Sequence, residues 1–251
     1  GGKATTNVLE LDAVCIVVLN AQQTEQVLFG QNGVVPAMAS GAVVISCATV
    51  DPSFAKKMEK KCAEYNVHYL DAPISGGAVK AARGALTVIA SGTDDAFIAA
   101  APVLDAIATT VFKLGDTAGA GSAMKAVNQL LAGVHLAAMA EALTFGMTQG
   151  ISPGKFVDVI TQCAGTSWML EDRAPHIVLG DYTPHSSVDI WPKDLGIVLE
   201  IAKSVNFSAP LTTVALQQFF KASSAGLGRE DDAAITKIYA LDAGLTLPGV
   251  S

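Results

Sequence analysis

The first half of the chain alternates short apolar runs with longer stretches in which apolar residues recur at helical spacing. The short runs are rich in β-branched residues and predict strands at 13–19, 43–46, 67–71, 86–91 and 111–114. The stretches between them predict helices at 22–29, 52–66 and 94–107. Alternating strands and helices are typical of a largely parallel, doubly wound sheet that is covered by helices on both faces.

The strand pattern stops near Gly115, and the remainder of the chain predicts only helices. In the long helical stretch 121–149 one apolar stripe consists of Met124, Val127, Leu131, Val134 and Ala138. Further helices are predicted at 153–160, 194–203, 211–221 and 231–239. We therefore expect an α/β domain over 1–118 and an all-helical C-terminal domain over 119–251, which begins with a long interdomain helix.

Composition and charge narrow the possible partners. The chain has 251 residues, a net charge of -7 and 51% hydrophobic residues, so it can bury a large core and repels phosphate backbones. No uninterrupted apolar run approaches the roughly 20 residues of a membrane-spanning helix. The longest candidate, 130–143, is interrupted by Gly133, His135 and Glu141. We expect neither a nucleic-acid nor a membrane partner.

The four cysteines do not have the spacing of a metal site. Cys15, Cys47, Cys62 and Cys163 form no C-x-x-C pair and have no histidine at ligand spacing, so no metal is expected. Cys15 and Cys47 lie in apolar runs, where a free cysteine acts as a small hydrophobic residue. Free cysteines favour a reducing, cytoplasmic location.

Polar residues follow the predicted strands at the edge where doubly wound sheets bind ligands. Asn20 follows the first strand, Thr49 the second, and the turn Ser75, Gly76 and Gly77 the third. Two glycines let successive backbone N–H groups point at one anion, so a carboxylate would fit this turn. An ordinary glycine-rich turn is the alternative interpretation.

Two further places carry candidate chemistry. Lys125 and Asn128 lie three residues apart in the long helix and share a face beside the apolar stripe, where a partly buried lysine can exchange a proton with a hydroxyl. The alternative is an exposed pair on a solvated face. Lys193 lies near the start of a later helix and could bind a carboxylate or phosphate, although a surface pair with Asp194 is the ordinary interpretation.

Taken together, three motifs resemble the β-hydroxyacid dehydrogenase family, which includes 3-hydroxyisobutyrate dehydrogenase. They are the substrate-binding motif at 71–77, the start of the catalytic helix at 119–128 and the lysine motif at 193–195. Their order and spacing match the family over nearly the whole chain. The stretches 20–30 and 226–232 are similar to the L-threonate dehydrogenase branch, and a tartronate semialdehyde reductase type of activity is the alternative.

The resemblance implies roles for the candidate residues. Lys125 would be the catalytic acid/base and Asn128 would position the reacting group. Ser75, Gly76 and Gly77 would bind the substrate carboxylate. A homodimer or homotetramer would form through the helical domain.

The cofactor implied by the resemblance is NAD, with NADP as an open alternative. Asn20, Thr49 and Lys193 would contact its nicotinamide half. The family's first strand, G-x-G-x-x-G turn, helix and second strand are missing, and the chain starts at Gly1-Gly2-Lys3. The expected fold is thus an N-terminally truncated Rossmann-like sheet with a helical domain. The chain would be either a fragment or a variant that binds the dinucleotide weakly, in which case a non-catalytic scaffold is the alternative function.

Overall fold

A computed structural model describes residues 11–250 and divides the chain into two compact units. The first unit ends at Ala126 and the second begins at Val127. The expectation about Gly1-Gly2-Lys3 lies outside the described residues. The α/β class and the helical second half are both confirmed.

The strands of the first unit form two three-stranded arrangements. The strands are β1 (Ala13–Ile16), β2 (Val43–Ser46), β3 (His68–Asp71), β4 (Ile74–Ser75), β5 (Leu86–Ala90) and β6 (Ala108–Lys113). β1, β2 and β3 are parallel neighbours in that order, whereas β4 pairs antiparallel with β5, which is parallel to β6. Reciprocal backbone hydrogen bonds between Asp71 and Ser91 connect the two arrangements. The predicted parallel sheet therefore contains one short antiparallel strand.

Among the described residues, four α-helices lie wholly within the first unit, and three of them begin at a side-chain cap. They are α1 (Ala21–Phe29), α2 (Pro52–Ala63), α3 (Gly77–Ala82) and α4 (Asp94–Ile107). The side chains of Asn20, Asp51 and Thr93 accept hydrogen bonds from the first turns of α1, α2 and α4. The helix α3 was not predicted, because six residues are too few to show helical periodicity.

The central strand β2 is buried on both faces, as its apolar sequence predicts. Val44 packs on one side with Leu28 and Met58. Ile45 packs on the other side with Leu70. Helices on both faces therefore hold the carboxyl end of β2, which leads to Thr49.

The helix α5 (Ala120–Thr148) continues from the first unit into the second. By length and composition alone it is apolar enough to cross a membrane, but 44% of its most apolar stretch of 18 residues is buried within the structure. Leu136, Ala140 and Leu143 are fully buried in the core of the second unit, and a core helix meets the same criterion.

Most of the predicted apolar stripe of α5 does not face a core, although Val134 packs against the core of the second unit. Met124, Val127 and Leu131 are 46%, 54% and 50% exposed, and Ala138 is also exposed. Helical spacing identifies residues that share a face, but it does not say which face packs. The core of the second unit instead uses the face that carries Leu136 and Leu143.

In the described part of the second unit, residues 127–250, every named element is a helix. Its further helices are α6 (Pro153–Ile160), α7 (Trp168–Leu179), α8 (Ile190–Ser204), α9 (Pro210–Ala222) and α10 (Ile235–Asp242). The helix α7 was not predicted and, like α4 with its Pro102, it contains an internal proline, Pro175. Ser167 caps its first turn and Gly180 ends it in a left-handed conformation with φ 67°.

A buried polar network lies within this helical core. Asp232, which is fully buried, accepts hydrogen bonds from Arg173 Nε at 2.6 Å and from Trp191 Nε1 at 3.0 Å. Burial raises the pKa of Asp232 to about 6, with Asp231 adding to the rise and Arg173 opposing it. His176 Nδ1 lies 3.0 Å from Asp231 Oδ1. The network links α7, α8 and the segment before α10.

Candidate active site

A buried carboxylate at the end of β3 fixes the start of α5. Asp71 Oδ2 accepts hydrogen bonds from the backbone N–H groups of Gly119 at 2.9 Å and Ser122 at 2.8 Å, and Oδ1 accepts one from Ser122 Oγ at 2.6 Å. Burial raises the pKa of Asp71, while these hydrogen bonds act in the opposite direction. Because Asp71 satisfies N–H groups that a helix start leaves unpaired, it anchors the helix that carries Lys125.

Gly121 lets the first turn of α5 approach the sheet closely. A Cβ at this position would lie 2.6 Å from the carbonyl oxygen of Ile89 and 2.8 Å from that of Asp71. Its N–H donates to Ser91 Oγ at 3.0 Å. Only glycine fits so near to two backbone carbonyls, so the G-A-G sequence before Lys125 has a steric cause.

Lys125 lies beside the predicted substrate turn. Its Nζ donates a hydrogen bond to the carbonyl oxygen of Ile74 at 3.0 Å, and the residue is only 8% exposed. Ile74 directly precedes Ser75. The structure thus brings the predicted acid/base residue next to the predicted carboxylate turn, although Lys125 and Ile74 are 51 residues apart in sequence.

The turn itself has the backbone that its glycines predict. Gly76 and Gly77 have φ values of 126° and 66°, which other residues rarely adopt. A Cβ at Gly77 would meet open space. Ser75 and Gly76 are partly exposed and Gly77 is exposed, so the turn lies at the surface of the first unit.

Asn20 and Thr49 lie at the carboxyl edge of β1 and β2. Because Ile16 pairs in parallel with Ser46, the residues that follow both strands emerge at the same edge. Both side chains are partly exposed. Asn20 Oδ1 accepts a hydrogen bond from Gln23 N at 2.9 Å, so its amide also caps α1.

Asn128 and Lys193 are joined by two residues whose part in the site was not predicted. Asn128 Nδ2 donates to Gln129 Oε1 at 2.9 Å, and Gln129 Nε2 donates to Asp194 Oδ2 at 2.5 Å. Asp194 Oδ1 lies 2.6 Å from Lys193 Nζ. Asp194 is only 2% exposed, so the interpretation of Lys193 and Asp194 as a surface pair is wrong.

A thiol pair lies on neighbouring strands of the first unit. Cys15 Sγ is 3.8 Å from Cys47 Sγ. Cys47 is buried as expected, but Cys15 is exposed, which corrects its interpretation as a core residue. The hydrogen bond with Cys47 lowers the pKa of Cys15 to about 7 against the effect of burial. The same hydrogen bond, together with burial, raises the pKa of Cys47.

The arrangement in the first unit can exchange a proton beside an anion-binding turn at the edge of a parallel sheet. Two family models match the chain. Residues 2–115 match the NAD binding domain of 6-phosphogluconate dehydrogenase, and residues 119–239 match the model described as NAD-binding of NADP-dependent 3-hydroxyisobutyrate dehydrogenase. Fold and matches define a dehydrogenase that binds a nicotinamide dinucleotide.

Curated and solved relatives narrow this class. The L-threonate dehydrogenase of Cupriavidus necator is 51% identical over 99% of this chain and 84% of its own length. The Escherichia coli K12 enzyme of the same name is 48% identical over 98% of this chain and 80% of its own length. A crystal structure named 3-hydroxyisobutyrate dehydrogenase, from Salmonella typhimurium, is 48% identical with a TM-score of 0.88 over 92% of this chain and 80% of that one. The chain belongs to the 3-hydroxyisobutyrate dehydrogenase-like family.

Proposed function

We propose that this protein oxidises a short polyhydroxy acid, L-threonate in the first instance, with NAD or NADP as the hydride acceptor. The observation that carries the proposal is the position of Lys125 Nζ, 3.0 Å from the carbonyl that precedes the turn at Ser75. The choice of L-threonate rests on the names of relatives that are 51% and 48% identical.

Lys125 would take the proton of the substrate hydroxyl during oxidation and return it during carbonyl reduction. Both the amine and the ammonium form of lysine carry N–H groups, so either form can donate to the Ile74 carbonyl. The carbonyl therefore holds Nζ in place in either form. Removal of such a group typically costs on the order of 100- to 10,000-fold in rate.

The substrate carboxylate would bind to the backbone N–H groups of the turn formed by Ser75, Gly76 and Gly77. Positive φ values in this turn support such an anion-binding geometry. Asn128, one helical turn after Lys125, would position the reacting group.

The described residues fit the nicotinamide half of the cofactor. Asn20 and Thr49 are partly exposed polar groups at one sheet edge, which is where doubly wound folds hold a dinucleotide. Lys193 would complete these contacts. When bound, the cofactor accepts the hydride from the carbon that carries the hydroxyl.

The proposal also includes a domain boundary, a cellular location and an oligomeric state. The domains divide between residues 118 and 119. The protein acts in the cytoplasm. It forms a homodimer or homotetramer, which is supported by the large exposed apolar side chains on the second unit, including Phe145, Trp168 and Leu211 at 67%, 54% and 69% exposure.

The test is an assay of the purified protein for cofactor reduction. L-Threonate and 3-hydroxyisobutyrate are offered with NAD and then with NADP, and tartronate semialdehyde is offered with the reduced cofactors. We expect the highest kcat/KM with L-threonate. Lys125→Ala should lose most of this turnover, while Lys155→Ala, which removes an exposed lysine on α6, should retain it.

Two results would contradict the proposal. Turnover of Lys125→Ala at the wild-type rate removes the acid/base role. Absence of both cofactor binding and turnover of every acid in the wild-type protein favours the non-catalytic scaffold. Circular dichroism of the variants separates a loss of chemistry from a loss of fold.

A further inference from the structure

A chain of polar groups runs through the second unit from Lys193 to Asn128. Asp194 lies between Lys193 Nζ, 2.6 Å from Oδ1, and Gln129 Nε2, 2.5 Å from Oδ2. Gln129 Oε1 then accepts from Asn128 Nδ2 at 2.9 Å. Lys193 is a positive charge at one end, and a neutral carboxamide stands at the other.

Asp194 determines which group donates and which accepts in each hydrogen bond of this row of side chains. A carboxylate only accepts hydrogen bonds, so Gln129 must turn its NH₂ group toward Asp194 and its oxygen toward Asn128. Asn128 must in turn direct its NH₂ group toward Gln129. Its Oδ1 therefore points away from Gln129 and is the acceptor that Asn128 can offer to a hydroxyl.

Burial makes this orientation costly to reverse. Asp194 and Gln129 are only 2% and 8% exposed, so water does not readily replace either partner. One turn after Gln129, a Cβ on Gly133 would lie 2.8 Å from Leu195 Cδ2 and 3.0 Å from Trp191 Cε3. The absence of a side chain at Gly133 thus lets α5 and α8 approach closely beside these hydrogen-bonded side chains.

We infer that Gln129 and Asp194 are positioning residues, which orient the Asn128 carboxamide so that its oxygen accepts a hydrogen bond from a substrate hydroxyl next to the one that Lys125 deprotonates. This inference rests on the proposed dehydrogenase function for its kinetic consequence. Through Asp194 the charge of Lys193 also contributes to the orientation of Asn128.

The substitution Asp194→Asn should reverse the direction of these hydrogen bonds, while the volume of the side chain stays nearly constant. The ammonium of Lys193 would attract the oxygen of the new carboxamide, so its NH₂ group would face Gln129, and the carboxamides of Gln129 and Asn128 would both flip.

Nuclear magnetic resonance of the Asn128 side-chain NH₂ group measures this change of orientation without turnover. We expect protection from hydrogen exchange in the wild type, and its loss in Asp194→Asn and Gln129→Leu. Glu200→Gln, which removes an exposed carboxylate from the same helix, is the matched control and should keep the protection.

The kinetic arm separates positioning from a general structural role. Gln129→Leu should lower kcat on the order of 10- to 100-fold, with little change in the KM for the cofactor. In an Asn128→Ala background the same substitution should have almost no further effect, because its target is gone. If the losses of kcat from Gln129→Leu and Asn128→Ala multiply in the double variant, the inference is overturned. It is also overturned if the Asn128 NH₂ group keeps its protection from hydrogen exchange in Asp194→Asn. If the wild type turns over no acid, the proposed function fails, and the exchange measurement still decides the orientation of Asn128.

Discussion

The Nζ atom of Lys125 lies 3.0 Å from the carbonyl oxygen of Ile74, the residue directly before Ser75. This hydrogen bond joins the start of α5 to the short strand β4. The start of α5 is in turn held by Asp71, at the end of β3. The position of the lysine relative to the glycine turn is therefore determined by two buried contacts within the first unit.

The substitution Gly77→Ala should weaken substrate binding more than it weakens the fold. Gly77 has φ 66° and open space around its missing Cβ, so alanine costs about 1 kcal/mol of backbone strain. The added methyl group would project into the space proposed for the carboxylate. We expect the KM for the hydroxy acid to rise roughly tenfold, which corresponds to about 1.4 kcal/mol.

Gly41→Ala is the matched control for this measurement. Gly41 has φ 84°, is exposed and also has open space around it, so the strain is similar. Similar losses of stability in the two variants, with a KM change only in Gly77→Ala, are expected. An unchanged KM in Gly77→Ala would exclude the turn from the substrate site.

Removal of the Asp71 carboxylate should destabilise the first unit. Asp71→Ala leaves the buried N–H groups of Gly119 and Ser122 unpaired, which costs about 2 to 4 kcal/mol in the free energy of unfolding. Asp71→Asn should cost less, because the amide oxygen can accept both hydrogen bonds. Asp105→Ala, at an exposed position on α4, should change stability by less than about 0.5 kcal/mol in the same urea titration. Equal stability of the two Asp71 variants would refute this account of the helix start.

The stability of the protein should depend on the protonation of Asp232. The pKa of this carboxyl is raised from 3.8 to about 6, so the folded state binds a proton more tightly than the unfolded state. The stabilisation is present at low pH and is lost as the pH rises through about 6. Relative to Asp232→Asn, which does not titrate there, the wild type should lose up to about 3 kcal/mol between about pH 4 and pH 6. Urea titrations across this range measure the difference, and a constant or rising difference would contradict the sign.

Cys15 should react rapidly with iodoacetamide near neutral pH. Its pKa is lowered to about 7 by the hydrogen bond with Cys47. Cys47→Ala removes that partner, so the pH at half-maximal alkylation should rise toward the usual thiol value of about 8.5. Cys47→Ser retains a donor and should keep the low midpoint. Equal midpoints in the alanine and serine variants would show that the hydrogen bond is not the cause.

The sequence alone predicted much of the architecture, because regular patterns reflect local forces. The strand β2 and the helix α4 have the predicted bounds, since each is bounded by clear turn or capping residues. The two-residue strand β4 has too little sequence for any pattern.

The residues of the site were predicted individually, but some of their contacts were not. Lys125 and the glycine turn have distinctive neighbours in sequence. The burial of Asp194 and its contact with Gln129 come from tertiary packing, and a charged residue beside a lysine usually indicates a surface. A glutamine next to Asn128 in an apolar helical stretch, one turn before Gly133, is the sequence signal that could have indicated this network.

Chemical rescue of Lys125→Ala by small primary amines tests the central claim most directly. If Lys125 exchanges the proton of the substrate hydroxyl, added amines should restore part of the lost turnover with L-threonate, and the restored rate should vary with amine pKa at constant amine size. Amines should have no effect on the wild type or on Lys155→Ala. Full activity of Lys125→Ala without amine would contradict the account, as would a rescued rate that is independent of amine pKa.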